Sequence, residues 1–139
     1  MTRRQAREKA VQALYQIDMR GVDPVEAIKV ALHESLDLEE KGFLEKLVYG
    51  VLENQSTIDE GIKKYLRGWT LERLALVDRA VLRIAVYEIM YISDIPAKVS
   101  VNEALELARA FGMEESVKFI NGVLANISKE QENEVGISE

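Results

Sequence analysis

Apolar residues along this chain recur at intervals of three and four, the spacing of one helix face, and nowhere alternate as a strand would require. The densest stretch runs from Leu71 to Ile92, LERLALVDRAVLRIAVYEIMYI. Wound as a helix, it sets Leu74, Val77, Val81, Ile84, Ala85, Ile89 and Ile92 on one wide side, and Ala75, Leu82, Val86 and Met90 on much of the other. Arg79 and Arg83 make its polar strip, while Asp78 and Glu88 stand singly among apolar neighbours. A helix that is apolar on most sides is buried by other helices. The charges interrupt it too often for a membrane span. The stretch therefore predicts a central buried helix, with Thr70 as N-cap, Glu72 at the positive end of the dipole, and Pro96 barring continuation.

Shorter amphipathic segments flank it. The first runs from Arg3 to Arg20, with Ala6, Ala10, Ala13, Leu14 and Ile17 inward and Gly21 as its stop. Asp23-Pro24-Val25-Glu26 supplies an N-cap, a proline at the first helical position and a capping-box partner. Val25, Ile28, Ala31, Leu32 and Leu36 are then expected inward. Acidic residues from Asp37 to Glu40 mark a junction, and Phe43, Leu44, Leu47, Val48, Val51 and Leu52 define a third helix. Asn54-Gln55-Ser56 is a break or a kink, after which Ser56 can cap a short helix through Ile58, Ile62, Tyr65 and Leu66, ended by Gly68. Trp69, in the next connection, is expected to plug the core edge. Ser100-Val101-Asn102-Glu103 reads as a second capping box ahead of Leu105, Leu107, Ala108 and Phe111, and Gly112 closes that helix. Glu114 and Glu115 open the last helix, whose inner face is Val117, Ile120, Val123, Leu124 and Ile127. From Lys129 the chain is polar and without period, so fraying is expected. The fold class is all-α: about seven helices in one domain over 1–129, followed by a flexible polar tail, 130–139.

Composition narrows the function classes. A chain of 139 residues is long enough to bury a real core. It has no cysteine, which excludes a disulfide framework and thiolate metal sites. The start, MTRRQAREKA, lacks the apolar core of a secretory signal, and a cytoplasmic protein is expected. The net charge of −6 argues against a protein that coats nucleic acid with its whole surface. A local basic patch remains open, because only charges within about a Debye length, roughly 8–10 Å, set the local field.

Such a patch is present in the first helix. Arg4, Arg7, Val11 and Tyr15 fall on one stripe, turned away from the alanine-rich face, with Arg3 beside it. Guanidinium groups pair with phosphates and a tyrosine ring offers a face to a base, so the stripe suits single-stranded RNA. A solvated basic face with a tyrosine packed on a neighbouring helix is the alternative. In the last helix, Lys118 and Asn121 point outward, Ile120 inward and Phe119 to the flank. Gly122 in mid-helix costs roughly 0.8–1 kcal/mol relative to alanine and suggests a close approach by a helix or a ligand. Asp78 and Glu88 lie roughly 15 Å apart on a straight helix, too far to serve one reaction centre, and structural pairing with arginine or a partner contact is expected of them. His33, the sole histidine, has no ligand pattern around it. Without a phosphate-binding glycine loop, HExxH or a nucleophile elbow, no catalytic residue, cofactor or metal site is expected.

Four stretches carry a resemblance: TRRQAREKAVQALYQID, WTLERLALVDRAVLRIAVYEIMY, DIPAKVSVNEALELARAFG and EESVKFINGVLANI. Together, in order from Arg3 to about Ile127, they resemble the bacterial transcription antitermination factor family NusB. The resemblance implies two small helical bundles packed at the central helix and a non-enzymatic, RNA-binding role. It implies binding of the boxA element of nascent ribosomal RNA jointly with the ribosomal protein NusE, and attachment to the RNA polymerase elongation complex so that terminators are read through. By position the RNA-facing residues would be Arg3, Arg4, Arg7, Tyr15, Lys118 and Phe119. Asp78 and Glu115 match acidic positions near the protein partner and the RNA. Some members of the family form homodimers that hide the RNA surface. A similar domain is fused to some ribosomal RNA methyltransferases, so a helper module of such a system is the alternative, and a protein-only scaffold a further one.

Overall fold

Every residue from Ala80 to Ile89 is buried, and the rest of the chain closes around this segment. The computed structural model describes residues 3–32 and 38–138. Among them are seven helices: α1 (Arg3–Arg20), α2 (Pro24–Ala31), α3 (Leu38–Glu53), α4 (Gln55–Lys63), α5 (Leu76–Tyr91), α6 (Ala97–Ala110) and α7 (Val117–Ser138). Short 3-10 turns at Leu71–Arg73 and Glu114–Ser116 precede α5 and α7. Helix α1 packs on α2 and α3 to make one bundle, while α6 and α7 pack on each other. Helix α5 touches α1, α3, α4, α6 and α7, so both groups share it as their common wall. The fold is all-α, as the periodicity predicts. His33, Leu36 and Asp37 lie outside the described residues.

Inner faces follow the apolar spacing. Ala6, Ala10, Ala13 and Leu14 are buried in α1, Leu44, Leu47, Val48 and Val51 in α3, and Ile120, Val123, Leu124 and Ile127 in α7. Several local expectations are corrected. The central helix does not begin at Thr70. Leu74 and Ala75 are extended, and α5 starts only at Leu76. The Leu71 carbonyl, which an unbroken helix would give to Ala75, instead accepts from the Leu74 N–H and from Arg79 Nη1 at 3.3 Å. Ser100 caps nothing. Helix α6 already starts at Ala97 behind Pro96, and Ser100 is buried inside it. Val25 is exposed, because α2 offers only Ala27, Ile28 and Ala31 to the core.

The junction at Asn54 is a break rather than a continuous kink. Both the backbone N–H and the side-chain amide of Asn54 donate to the Gly50 carbonyl, at 3.1 and 2.8 Å, and α4 restarts at Gln55 without a Ser56 cap. The segment after Lys129, expected to fray, continues α7 as helix to Ser138. Extending a packed helix costs far less than nucleating one, and Glu130 in the extension accepts hydrogen bonds from Lys64 and Tyr65. Helix α6 closes with both Schellman bonds, Met113 N–H to the Ala108 carbonyl and Gly112 N–H to the Arg109 carbonyl, with Gly112 at φ +76°. That closure turns the chain towards α7.

Candidate nucleic-acid interface

The arginine stripe of α1 splits three ways. Arg3 is exposed, and its guanidinium lies over the Phe43 ring of α3, 4.5 Å from the centroid. Arg4 is also exposed but forks onto Glu103 of α6, with Nε–Oε2 at 3.0 Å and Nη2–Oε1 at 3.1 Å. Arg7 is not solvent-facing as its wheel position suggests: it is 4% exposed. Its Nε and Nη2 donate to the two Glu88 oxygens at 2.8 Å each, and Ser100 Oγ donates to the same carboxylate at 2.8 Å. Arg7 therefore fastens α1 to α5 and α6. Glu88 finds the arginine partner expected for it, on α1.

Further along α1, Tyr15 is half-buried in a groove of about 520 Å³, whose wall includes Val11, Val30, Val77 and Phe111. Arg4 and Tyr15 are eleven residues apart, roughly 16 Å of helix rise. A second groove, about 530 Å³, opens on the other side of the α5 start. Phe119, Trp69, Arg73, Asp78, Glu115 and Ser116 line it. Phe119 is half-buried there, and Lys118 and Glu115 beside it are exposed. Val77 belongs to the first groove and Asp78 to the second, so the first turn of α5 divides them. Trp69 does not plug the core: 57% exposed, it stands at the rim. Gly122 admits no close neighbour either. Nothing lies within 4 Å of a Cβ built on it. The glycine that does admit close packing is Gly50, where a Cβ would run into the Tyr87 ring.

Asp78 is buried, with Oδ2 accepting from Ser116 Oγ at 2.7 Å and Oδ1 without a hydrogen-bond partner among the described residues. Neither neighbouring arginine bonds to it: Arg79 pairs with Asp18 at 3.0 Å, and Arg73 is exposed. Burial pushes the Asp78 carboxyl above the ordinary aspartate range. Ser116 opposes the shift and Glu115 adds to it. Glu103 moves the other way, held down first by the Arg4 hydrogen bonds and further by the charges of Arg4 and Arg7. Ser116, Glu103 and Trp69 escaped sequence reasoning as site components. Glu103 and Arg4 are 99 residues apart, and no periodic signal links such positions.

The predicted RNA residues thus form no single pocket. They mark a long, discontinuous face: Arg3 and Arg4 at one end of α1, Tyr15 near the other, Lys118 and Phe119 across the α5 start. Among the described residues there is no acidic or histidine cluster suited to a metal, and no helix is long and apolar enough to cross a membrane. Residues 4–129 match the model of the NusB family. The chain belongs to the NusB family. It is 54% identical to the transcription antitermination protein NusB of Bacillus licheniformis over 132 residues, 95% of this chain and all of that one. It is 52% identical to the NusB of Bacillus pumilus over 130 residues, covering 94% of this chain and 97% of that one. Its fold matches T. maritima NusB with a TM-score of 0.87 at 40% identity, over 94% of this chain and 92% of that one. It also matches a chain from a crystal structure of the antitermination factors NusB and NusE in complex with dsRNA. There the TM-score is 0.84 at 30% identity, over 92% of this chain and 96% of that one.

Proposed function

We propose that this chain is a non-enzymatic, RNA-binding transcription antitermination factor of the cytoplasm. It binds boxA-type single-stranded RNA jointly with the ribosomal protein NusE, and joins the RNA polymerase elongation complex to promote read-through. The observation that supports RNA binding with NusE is its near full-length likeness to a NusB fold solved with NusE and dsRNA. The geometry supports it in kind. A face on which Arg4 and Tyr15 alone stand roughly 16 Å apart along α1, with Lys118 and Phe119 beyond them, suits an extended polymer better than a small molecule. In this function Arg3, Arg4 and Lys118 meet phosphates, while Tyr15 and Phe119 stack on bases. Arg7 acts at one remove, by fixing the helix that carries Arg3 and Arg4. Asp78 and Glu115 give the second groove its acidic side, which suits a basic ribosomal protein.

Titration of labelled boxA RNA with the protein alone and with NusE added tests the proposal. Expected is salt-dependent binding that tightens with NusE. Binding of NusE with no RNA binding at any salt concentration would favour a protein-only scaffold. A homodimer formed over the same face would compete with RNA, so the titration is run at several protein concentrations.

A further inference from the structure

We propose that Glu103 is a selectivity residue of the RNA site: its carboxylate occupies the Arg4 guanidinium as an internal stand-in for phosphate, so that Arg4 yields to a polyanion and not to a small anion. The inference rests on the RNA-binding function proposed above. A guanidinium presents a planar fork of donors that fits carboxylate and phosphate alike. Arg4 spends that fork on Glu103, through Nε and Nη2 at 3.0 and 3.1 Å.

The two partners are unequally placed. The Arg4 side chain is 50% exposed, whereas that of Glu103 is 20% exposed and has Arg7 Nη1 at 3.9 Å behind it. When Arg4 leaves, Glu103 keeps a cation, and Arg7 keeps Glu88. The exchange therefore strands no buried charge. It still has a threshold, because one phosphate offers Arg4 little more than the carboxylate already supplies. A strand differs: each neutralised phosphate releases counterions, and several contacts act together. Glu103 is also ionised at neutral pH, since both arginines hold its carboxyl below the ordinary glutamate range. The arginine stripe of α1 is thus less available to free anions than its composition suggests.

RNA binding of the full chain is measured for Glu103→Gln, Arg4→Ala and the double variant, at salt concentrations from about 50 to 200 mM, with melting curves alongside. Glu103→Gln is expected to tighten binding about two- to fivefold, the fold-change equivalent to an exposed ion pair. The gain should vanish in the Arg4→Ala background. Glu106→Gln is the charge control, because Glu106 pairs with Arg109 at 2.9 Å; its effect should be smaller. If Glu103→Gln misfolds, Glu103→Ala removes the same carboxylate and should tighten binding too. An equal gain with and without Arg4 would reduce Glu103 to a general field effect and overturn the proposal. No gain, with Arg4→Ala still weakening binding, would also overturn it while leaving the RNA function intact. Arg4→Ala without effect at any salt concentration would remove Arg4 from the RNA face, and this inference with it.

Discussion

Helix α5 carries two buried carboxylates with opposite surroundings. Glu88, in its C-terminal half, is 1% exposed and takes a two-pronged arginine and a serine hydroxyl. Asp78, in its first turn, is 6% exposed and takes one serine hydroxyl at the wall of a groove. A buried carboxylate with a full set of donors is a fastening between helices. One left short of donors, as Asp78 is at its buried Oδ1, carries an unmet hydrogen-bonding demand into the interior. Sequence alone treats the two alike, since each is a lone acid in an apolar helix. What separates them is which distant segments arrive: α1 and α6 at Glu88, and the turn Glu114–Ser116 at Asp78.

The largest expected effect comes from breaking the satisfied end. Arg7→Ala would strand Glu88 in the interior, at a cost of about 3–5 kcal/mol of stability. Urea denaturation reads this directly. The paired change Arg7→Met with Glu88→Leu should recover most of the loss, because two apolar groups of similar size leave no stranded charge. If Arg7→Ala denatured like the parent, the contrast between the two acids would collapse, and Arg7 would return to the RNA face.

That outcome bears on how much was legible beforehand. The inner faces of α1, α3, α5 and α7 were readable because 3.6-residue periodicity is a property of the sequence itself. The burial of Arg7 had a local signal. Val11, one turn on in the same stripe, is 1% exposed, and a valine on a stripe supposedly facing solvent points inward. The break before α5 had no such signal, because the Arg79 contact with the Leu71 carbonyl spans eight residues and follows no helical spacing. Ser100 misled through a real pattern: S-x-x-E fits a capping box, but Pro96 had already started the helix. Of the candidate site, residue types and helix faces were readable. The division into two grooves depends on connections, Trp69 and the turn before α7, whose course periodicity does not encode.

The next effect in size sharpens the groove end. Tyr15→Ala and Phe119→Ala should each weaken binding of single-stranded RNA by about 1–3 kcal/mol, the worth of one stacked base. Tyr15→Phe should be nearly silent, since the ring face is what stacks. Fluorescence anisotropy with a labelled strand measures these losses, and melting curves separate them from any loss of packing by the half-buried Phe119. A loss for Tyr15→Phe equal to that for alanine would assign the contact to the hydroxyl instead.

Ser116→Ala comes next. It removes the one hydroxyl bonded to Asp78 and should cost about 1–2 kcal/mol of stability, less than the loss at Glu88. Because the hydroxyl favours the charged carboxylate, its removal should also raise the Asp78 pKa further. Carbon-detected NMR of the Asp78 carboxyl across an acid titration measures that direction, and a fall in its pKa would contradict the geometry.

The smallest effect is a pH dependence that runs in opposite directions for Asp78 and Glu103. Asp78 titrates above the ordinary aspartate value of 3.8, chiefly through burial, so the folded chain holds this proton more tightly than the unfolded chain does. Its contribution to stability is therefore most favourable when protonated. It declines as pH rises from the unfolded value through the raised folded one, and stays low at neutral pH. Glu103 behaves in reverse. Its folded pKa lies below 4.5, so its stabilisation is present above that value and is lost as pH falls through the lowered one. A melt of the parent in acid mixes the two trends. Asp78→Asn keeps an oxygen acceptor for Ser116 and removes the titration, so the parent-minus-variant difference isolates Asp78. That difference should move in favour of the parent as pH is lowered through the raised aspartate pKa. Binding of a basic partner at the second groove should weaken over the same interval in the parent only, because the acid loses its charge there. A stability difference flat across the acid range would mean that burial does not raise the Asp78 carboxyl, and would overturn its reading as the poorly satisfied acid of α5.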